Sequence, residues 1–248
     1  MRGGPDRRGF LRAAVALPLA AAACTSTPAP APAPLPTKVG AGAASAAPAP
    51  PIGEVAHAGS GRPQVALTFH GAGDLDLARR VLTLLYDRGA VVTVLAVGTW
   101  LQRYPDAARL VTDLGHELGN HTWSHPNLAA LDEVAVRTEI ERCRDRIAAA
   151  IGAPGAFFRP SQAQHATPAV RRAAAAAGYP RVLSYDVDSR DFTDPGPAAV
   201  RRAVGAVSAG GVVSLHLGHP GTADALPGVL DDLAGRGLTP VAAGTLFS

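Results

Sequence analysis

"QVALTFHGAGDLDLARRVLTLLYDRG", residues 64–89, changes its period halfway along. Val65 to Phe69 carry no charge on either face, which is the pattern of a strand buried on both sides. From Leu75 onward Leu77, Val81, Leu82 and Leu85 recur every three or four residues, the spacing of a helix with one apolar stripe, and Gly89 ends it. The stretch is therefore one strand, a loop carrying His70, Gly71, Gly73 and Asp74, and one helix.

Working outward, the unit repeats. Strand patterns stand at "AVVTVLAVG" (90–98), "HELGNHTWSH" (116–125), "FFRP" (157–160), "RVLSYDVDS" (181–189), "VVSLHLG" (212–218) and "TPVAAGTL" (239–246). Helical patterns lie between them, the longest being "LDEVAVRTEIERCRDRIAAAIG" (131–152). About seven strands, most followed by a helix, predict an α/β fold with a parallel sheet and helices outside, open or closed as a barrel. Eight such units usually take ~250 residues, more than the folded part of this chain offers. In either arrangement reactive groups gather at the carboxyl ends of the strands. His70, His121, Arg159, Asp186 to Asp191 and His216 all fall there.

The first sixty residues have another character. "RRGFLR" followed by "AAVALPLAAAAC" has a basic, then apolar, then small-residue layout that predicts an export signal over residues 1–24, resembling the twin-arginine type. Its apolar run is too short for a spanning helix, which needs ~20 residues. "LAAAAC" is similar to a bacterial lipobox with Ala21 in place of leucine, so Cys24 is either lipidated or part of a soluble export signal. Residues 25–60 are rich in Ala, Pro, Gly, Ser and Thr and read as an extended linker. An exported protein of the cell envelope or extracellular space is expected, touching membrane only through a lipid on Cys24.

Charge excludes one class of partner. The net charge is +3, and the first 24 residues alone hold four arginines against one aspartate, so the remainder is neutral and offers no electrostatic footprint for nucleic acid. Cys143 is the one cysteine beyond the signal; it makes no internal disulfide and reads as a buried helical thiol.

"HTWSH" sets His121 and His125 four apart, so on a helical turn both imidazoles would share a face and could bind one metal. Together with Asn120, "GHELGNHTWSHPNL" resembles the second motif of the polysaccharide deacetylases, the NodB-like family 4 carbohydrate esterases. "FFRPS", "SYDVDSRDF" and "VVSLHLGHPGT" resemble the later motifs, in order, across residues 63–248. The resemblance implies a distorted (β/α)7 barrel and a divalent metal, usually zinc, with cobalt as a substitute. It also implies hydrolysis of N-acetyl, or less often O-acetyl, groups on a glycan such as peptidoglycan or chitin.

Carried over by position, the resemblance makes His121 and His125 metal ligands and His216 the general acid that protonates the departing amine. Asp191, with Asp188 as rival, would hold that histidine. Gln162, Phe192 and Leu215 would contact substrate, Gln162 through its backbone N–H and Phe192 as the wall for the acetyl methyl. Asp194 reads as a cap. The chemistry needs a Lewis acid on the carbonyl, a base for water and an acid for nitrogen, because an amide anion leaves poorly.

The first motif departs from the family. Its usual form is Thr-Phe-Asp-Asp-Gly, whereas this chain has His70 and Gly71 there and its carboxylate three residues later, at Asp74. Three arrangements are open. Gly71 and Gly73 fold the loop back so that Asp74 joins His121 and His125 on the metal, with His70 as base; or His70 ligates the metal and Asp74 is the base; or Asp74 only caps the helix at Leu75 and the site lacks a ligand. Arg159, which in the family orients the base, would then pair with His70 or Asp74. Three functions follow: a metal-dependent glycan deacetylase, a glycan-binding pseudoenzyme, or a hydrolase of a small non-glycan amide or ester.

Overall fold

The computed structural model describes residues 53–248. The export signal and most of the linker lie outside the described residues. The folded part begins earlier than the sequence suggests, because β1 (Gly53–Val55) pairs in parallel with β5 (Arg181–Leu183), and His57 bridges Gly211. Residues 53–60, read above as the end of the linker, therefore belong to the folded part. The three residues of β1, Gly53, Glu54 and Val55, are too few to show a strand period in the sequence.

β2 (Gln64–Gly71) is the central strand. It lies between β3 (Thr93–Ala96) and β7 (Val212–His216), with β4 (Glu117–Asn120) beyond β3 and β6 (Val187–Asp188) beyond β7. All these pairings are parallel, and β8 (Thr239–Pro240) adds to the start of β2. Phe158 continues the curve as a single bridge to Asn120 on one side and Val182 on the other, so the sheet bends into the distorted (β/α)7 barrel.

Helices cover the outside: α1 (Leu75–Asp87), α2 (Gly98–Arg103), α3 (Ala107–Asp113), α4 (Glu133–Ile151), α5 (Pro168–Ala176), α6 (Pro197–Val204), α7 (Pro220–Gly235) and the short α8 (Ala243–Leu246). α1 buries Leu77, Val81, Leu82 and Leu85, as its periodicity requires, and the last three join Leu67, Phe69 and Val94 in one core cluster. Each such side chain contributes roughly 1.5–3 kcal/mol on burial. Sequence periodicity does not show α2, whose six residues are too few to display it. Among the described residues no helix is long and apolar enough to cross a membrane.

Candidate active site

Strand register brings the site together. His70 and His216 are Cα partners on adjacent parallel strands, so their side chains leave the sheet side by side at its carboxyl end. His70 Nδ1 lies 2.8 Å from His216 Nε2. The other nitrogen of His70 faces Arg159 Nη1 at 3.3 Å, and His216 Nδ1 lies 2.7 Å from Asp191 Oδ1.

These contacts fix the protons. A guanidinium can only donate, so His70 Nε2 accepts and the His70 proton sits on Nδ1. That N–H donates to His216 Nε2, which leaves the His216 proton on Nδ1 to donate to Asp191. The row Arg159–His70–His216–Asp191 is thus a single hydrogen-bonded chain in which each tautomer dictates the next.

Asp191 anchors one end. It is 1% exposed, and its Oδ2 accepts from the His216 backbone N–H at 2.7 Å and from the Thr222 hydroxyl at 2.6 Å. Burial works to raise this carboxyl, but the hydrogen bonds from His216 and Thr222 overcome it and hold it below the ordinary value. Asp188 is not the partner; its carboxylate accepts from Arg190 N–H at 2.9 Å on the cleft wall. Thr222, on α7, was invisible to motif reading because nothing in its local sequence separates it from any helical threonine.

Arg159 anchors the other end and is fully buried. Its Nε donates to Leu183 O at 2.9 Å and its Nη2 to Ser184 O at 3.1 Å. Burial pushes the guanidinium down to about 9, which still leaves it charged at neutral pH. Its partner is His70, so the alternative pairing with Asp74 is corrected.

His121 and His125 meet, but by another route than expected. Residues 121–125 are not helical: Thr122 and His125 have φ of 68° and 59°, the left-handed region. Asn120 holds this loop, donating to Ile140 O at 2.8 Å and accepting from Thr122 N–H at 2.9 Å. The two rings end 4.9 Å apart, and His121 stacks on His70 at 4.1 Å. His121 Nδ1 donates to the Arg159 carbonyl at 3.0 Å, so its Nε2 carries a lone pair, and that atom is buried with no hydrogen-bond partner. Burial foremost, then neighbouring histidines, lower His70, His121 and His125, the first two well below the ordinary imidazole value.

The unpartnered Nε2 of His121 and the neutral ring of His125 fit a divalent metal, since ligating imidazoles must be neutral and a pinned Nδ1–H is the usual support of such a ligand. A third protein ligand is not supplied among the described residues. Among the described residues no group of three or more His, Cys, Asp or Glu side chains is arranged to hold a metal ion. Asp74, expected as ligand or base, instead caps α1, accepting from Leu77 N–H at 2.9 Å with its side chain exposed. Gly73 sets this course: its φ is +91°, and a Cβ there would lie 2.5 Å from Gly218 Cα. Nor is there room at Gly71, where a Cβ would meet Val94 Cγ1 at 2.9 Å and Ala96 Cα at 3.0 Å. His70 as third ligand is corrected too, since both its nitrogens are engaged, and this also removes it as a free base.

The cleft above the histidines has a volume of about 680 Å³, and Gln162, Tyr185, Ser214 and Phe192 line it. Phe192 is 45% exposed with its ring 5.4 Å from that of His216, in keeping with a wall against substrate. Gln162 donates its side chain to His125 O at 2.9 Å and, with φ of 55°, shapes the rim. Leu215 does not reach the cleft. Strand alternation turns it into the core, fully buried, while Ser214 and His216 face the opening. Cys143 is buried against Ala96 O, and burial pushes its thiol up to about 12, so it is inert.

The profile of the polysaccharide deacetylases matches residues 57–182. The chain belongs to the polysaccharide deacetylase family. It is 32% identical over 108 residues to a Bacillus cereus peptidoglycan-N-acetylglucosamine deacetylase, covering 42% of this chain and 39% of that relative's length. It is 31% identical to a Sinorhizobium fredii chitooligosaccharide deacetylase, over 67% of this chain and 77% of the relative. In fold it is similar to a Bacillus anthracis CE4-family pseudoenzyme, with a TM-score of 0.75, 22% identity, and coverage of 79% of this chain and 69% of that one. The named deacetylases among these relatives are hydrolases of the C–N bond of an N-acetyl group, the reaction class of this family.

Proposed function

We propose that this chain removes acetyl groups from an N-acetylated glycan of the cell envelope, with His216 serving in turn as base and acid. The observation that carries this reading is the Asp191–His216 pair, buried at its carboxylate end and open to the cleft at its imidazole end. With Nδ1–H given to Asp191, His216 presents a lone pair at Nε2. That nitrogen takes a proton from water as the water oxygen bonds to the acetyl carbon. It then returns the proton to the glycan nitrogen as the C–N bond breaks, giving acetate and a free amine. Asp191 holds the tautomer and stabilises the imidazolium in between. Substrate must first part His70 from His216, because the His70 N–H covers the working nitrogen.

His121 and His125 are the residues that would hold a divalent metal, zinc or cobalt, and bound there it would supply Lewis-acid polarisation of the acetyl carbonyl. With two protein ligands among the described residues, retention is weak and the metal must be supplied. Peptidoglycan is the favoured glycan on the strength of the export signal and linker read from residues 1–60. The test is acetate release from N-acetylglucosamine oligomers and peptidoglycan fragments with added zinc. Loss in His216→Ala and Asp191→Asn is expected; undiminished release by His216→Ala would overturn the mechanism.

A second reading, glycan binding without turnover, is favoured by the His70–His216 contact and the missing carboxylate at positions 70 and 71. Saturable binding with no acetate from any substrate or added metal would establish it.

A further inference from the structure

One wall of the histidine cleft, with Gln162, Ala163 and Gln164, belongs to residues 160–166, the loop that leads from Arg159 to α5. Among the described residues no backbone-to-backbone hydrogen bond reaches this loop, so side chains must hold it. Gln162 sits there with φ of 55°, a conformation that a residue other than glycine keeps only where its surroundings impose it. At the near end the Ser161 hydroxyl donates to Pro126 O, and the Gln162 side chain donates to His125 O at 2.9 Å. In the middle Gln164 Nε2 donates to Tyr185 O at 2.8 Å, and the Ser184 hydroxyl donates to Gln164 O.

The far end is held from β1. Parallel register sets Glu54 opposite Val182 of β5, with Gly53 and Val55 turned to the other face. The Glu54 carboxylate is 15% exposed and accepts from His165 Nδ1 at 2.8 Å. Its other oxygen accepts from the Ala166 N–H at 3.2 Å and from Arg171 Nη1 at 3.4 Å. The same Arg171 nitrogen donates to Ala166 O at 2.7 Å. Both backbone groups of Ala166 are thus gripped, one by each member of the Glu54–Arg171 pair, where the loop enters α5. β1 stands ahead of the residues that match the family.

We infer that Glu54 is a positioning residue for the cleft: from β1 it fixes residues 160–166 as one wall of the substrate space, and through Gln162 it steadies the His125 loop. Glu54 itself does not line the cleft, so its effect falls on how substrate is held. The kinetic consequence rests on the deacetylase reading above; the strap itself does not.

The test compares the full chain with Glu54→Ala, Glu54→Gln and Arg171→Ala. Backbone order parameters from nitrogen-15 relaxation are measured over residues 161–166, and acetate release from N-acetylglucosamine oligomers is measured with added zinc. In the parent these order parameters should lie near about 0.85, and Glu54→Ala should lower them below about 0.6. Glu54→Gln keeps an acceptor for the Ala166 N–H and should restore the parent values. Arg171→Ala frees the Ala166 carbonyl at a helical position that favours alanine, so it stands if Glu54→Ala fails to fold. In turnover KM should rise about fivefold in both alanine variants with kcat within about twofold of the parent, because His216 and Asp191 lie on other elements, whereas a mere loss of folded protein would lower kcat. Unchanged order parameters in a folded alanine variant overturn the strap, and a loosened loop with KM unmoved overturns its part in positioning substrate. No acetate from the parent overturns the deacetylase reading, and the order parameters then decide on the strap by themselves.

Discussion

Asp191→Asn tests the linked row of tautomers. The amide keeps one acceptor oxygen, which can serve the His216 backbone and Thr222 as Oδ2 does now. Its NH2 group then faces His216 Nδ1, now 2.7 Å from Asp191 Oδ1, and that nitrogen must give up its proton to accept. The His216 proton moves to Nε2 and meets the His70 N–H, across a separation of 2.8 Å. If His70 flips in response, its new Nε2–H meets Arg159, which cannot accept. One substitution therefore places a donor against a donor somewhere along the row. With Asp191 1% exposed, the loss is that of one charge-assisted bond plus an unmatched buried group, about 3 kcal/mol. For a domain of this size that corresponds to a fall in Tm of about 6–12 °C. Thermal and urea unfolding of the full chain measure it, beside His70→Ala and the double variant. His70→Ala removes the member that relays the conflict, so the double variant should recover at least 1 kcal/mol relative to the sum of the singles. A change of less than about 0.5 kcal/mol in Asp191→Asn, or simple additivity, would refute the linked tautomers.

Other consequences can be measured in the same preparations. In metal-free protein the folded state keeps His70 and His121 neutral below the ordinary imidazole value of about 6.5, so the unfolded chain binds more protons there. Stability is fully present above about pH 6.5 and is lost as the pH falls, and a Tm that stays flat between pH 7 and 5 contradicts this. His70→Ala uncovers His216 Nε2 and should release acetate at least as fast as the parent; a fall of tenfold or more, about 1.4 kcal/mol, would show His70 taking part in the reaction. Asp74→Ala loses the α1 cap and about 1 kcal/mol of stability, while zinc uptake measured by elemental analysis stays unchanged. His121→Ala, by contrast, abolishes that uptake, and retention of zinc in this variant would show the metal bound elsewhere.

The βα order was legible because buried parallel strands and their covering helices each leave a period in the sequence, as Gln64–Asp87 shows. The order of elements put His70, His121, Arg159 and His216 at the carboxyl ends of strands, and the structure has them there. It could not tell how the HTWSH loop brings two rings together, since two left-handed residues do what a helical turn was expected to do. Nor could it decide Asp74, because an aspartate before an apolar-periodic run is equally a cap and a ligand in one dimension. Only the close passage of Gly73 against Gly218, made by two loops far apart in sequence, sends that carboxylate to the helix. The pairing of His70 with His216 likewise depends on strand register across 146 positions. Residue types and local periods follow from the chain itself, whereas proton positions, free lone pairs and close backbone approaches exist only where distant segments meet.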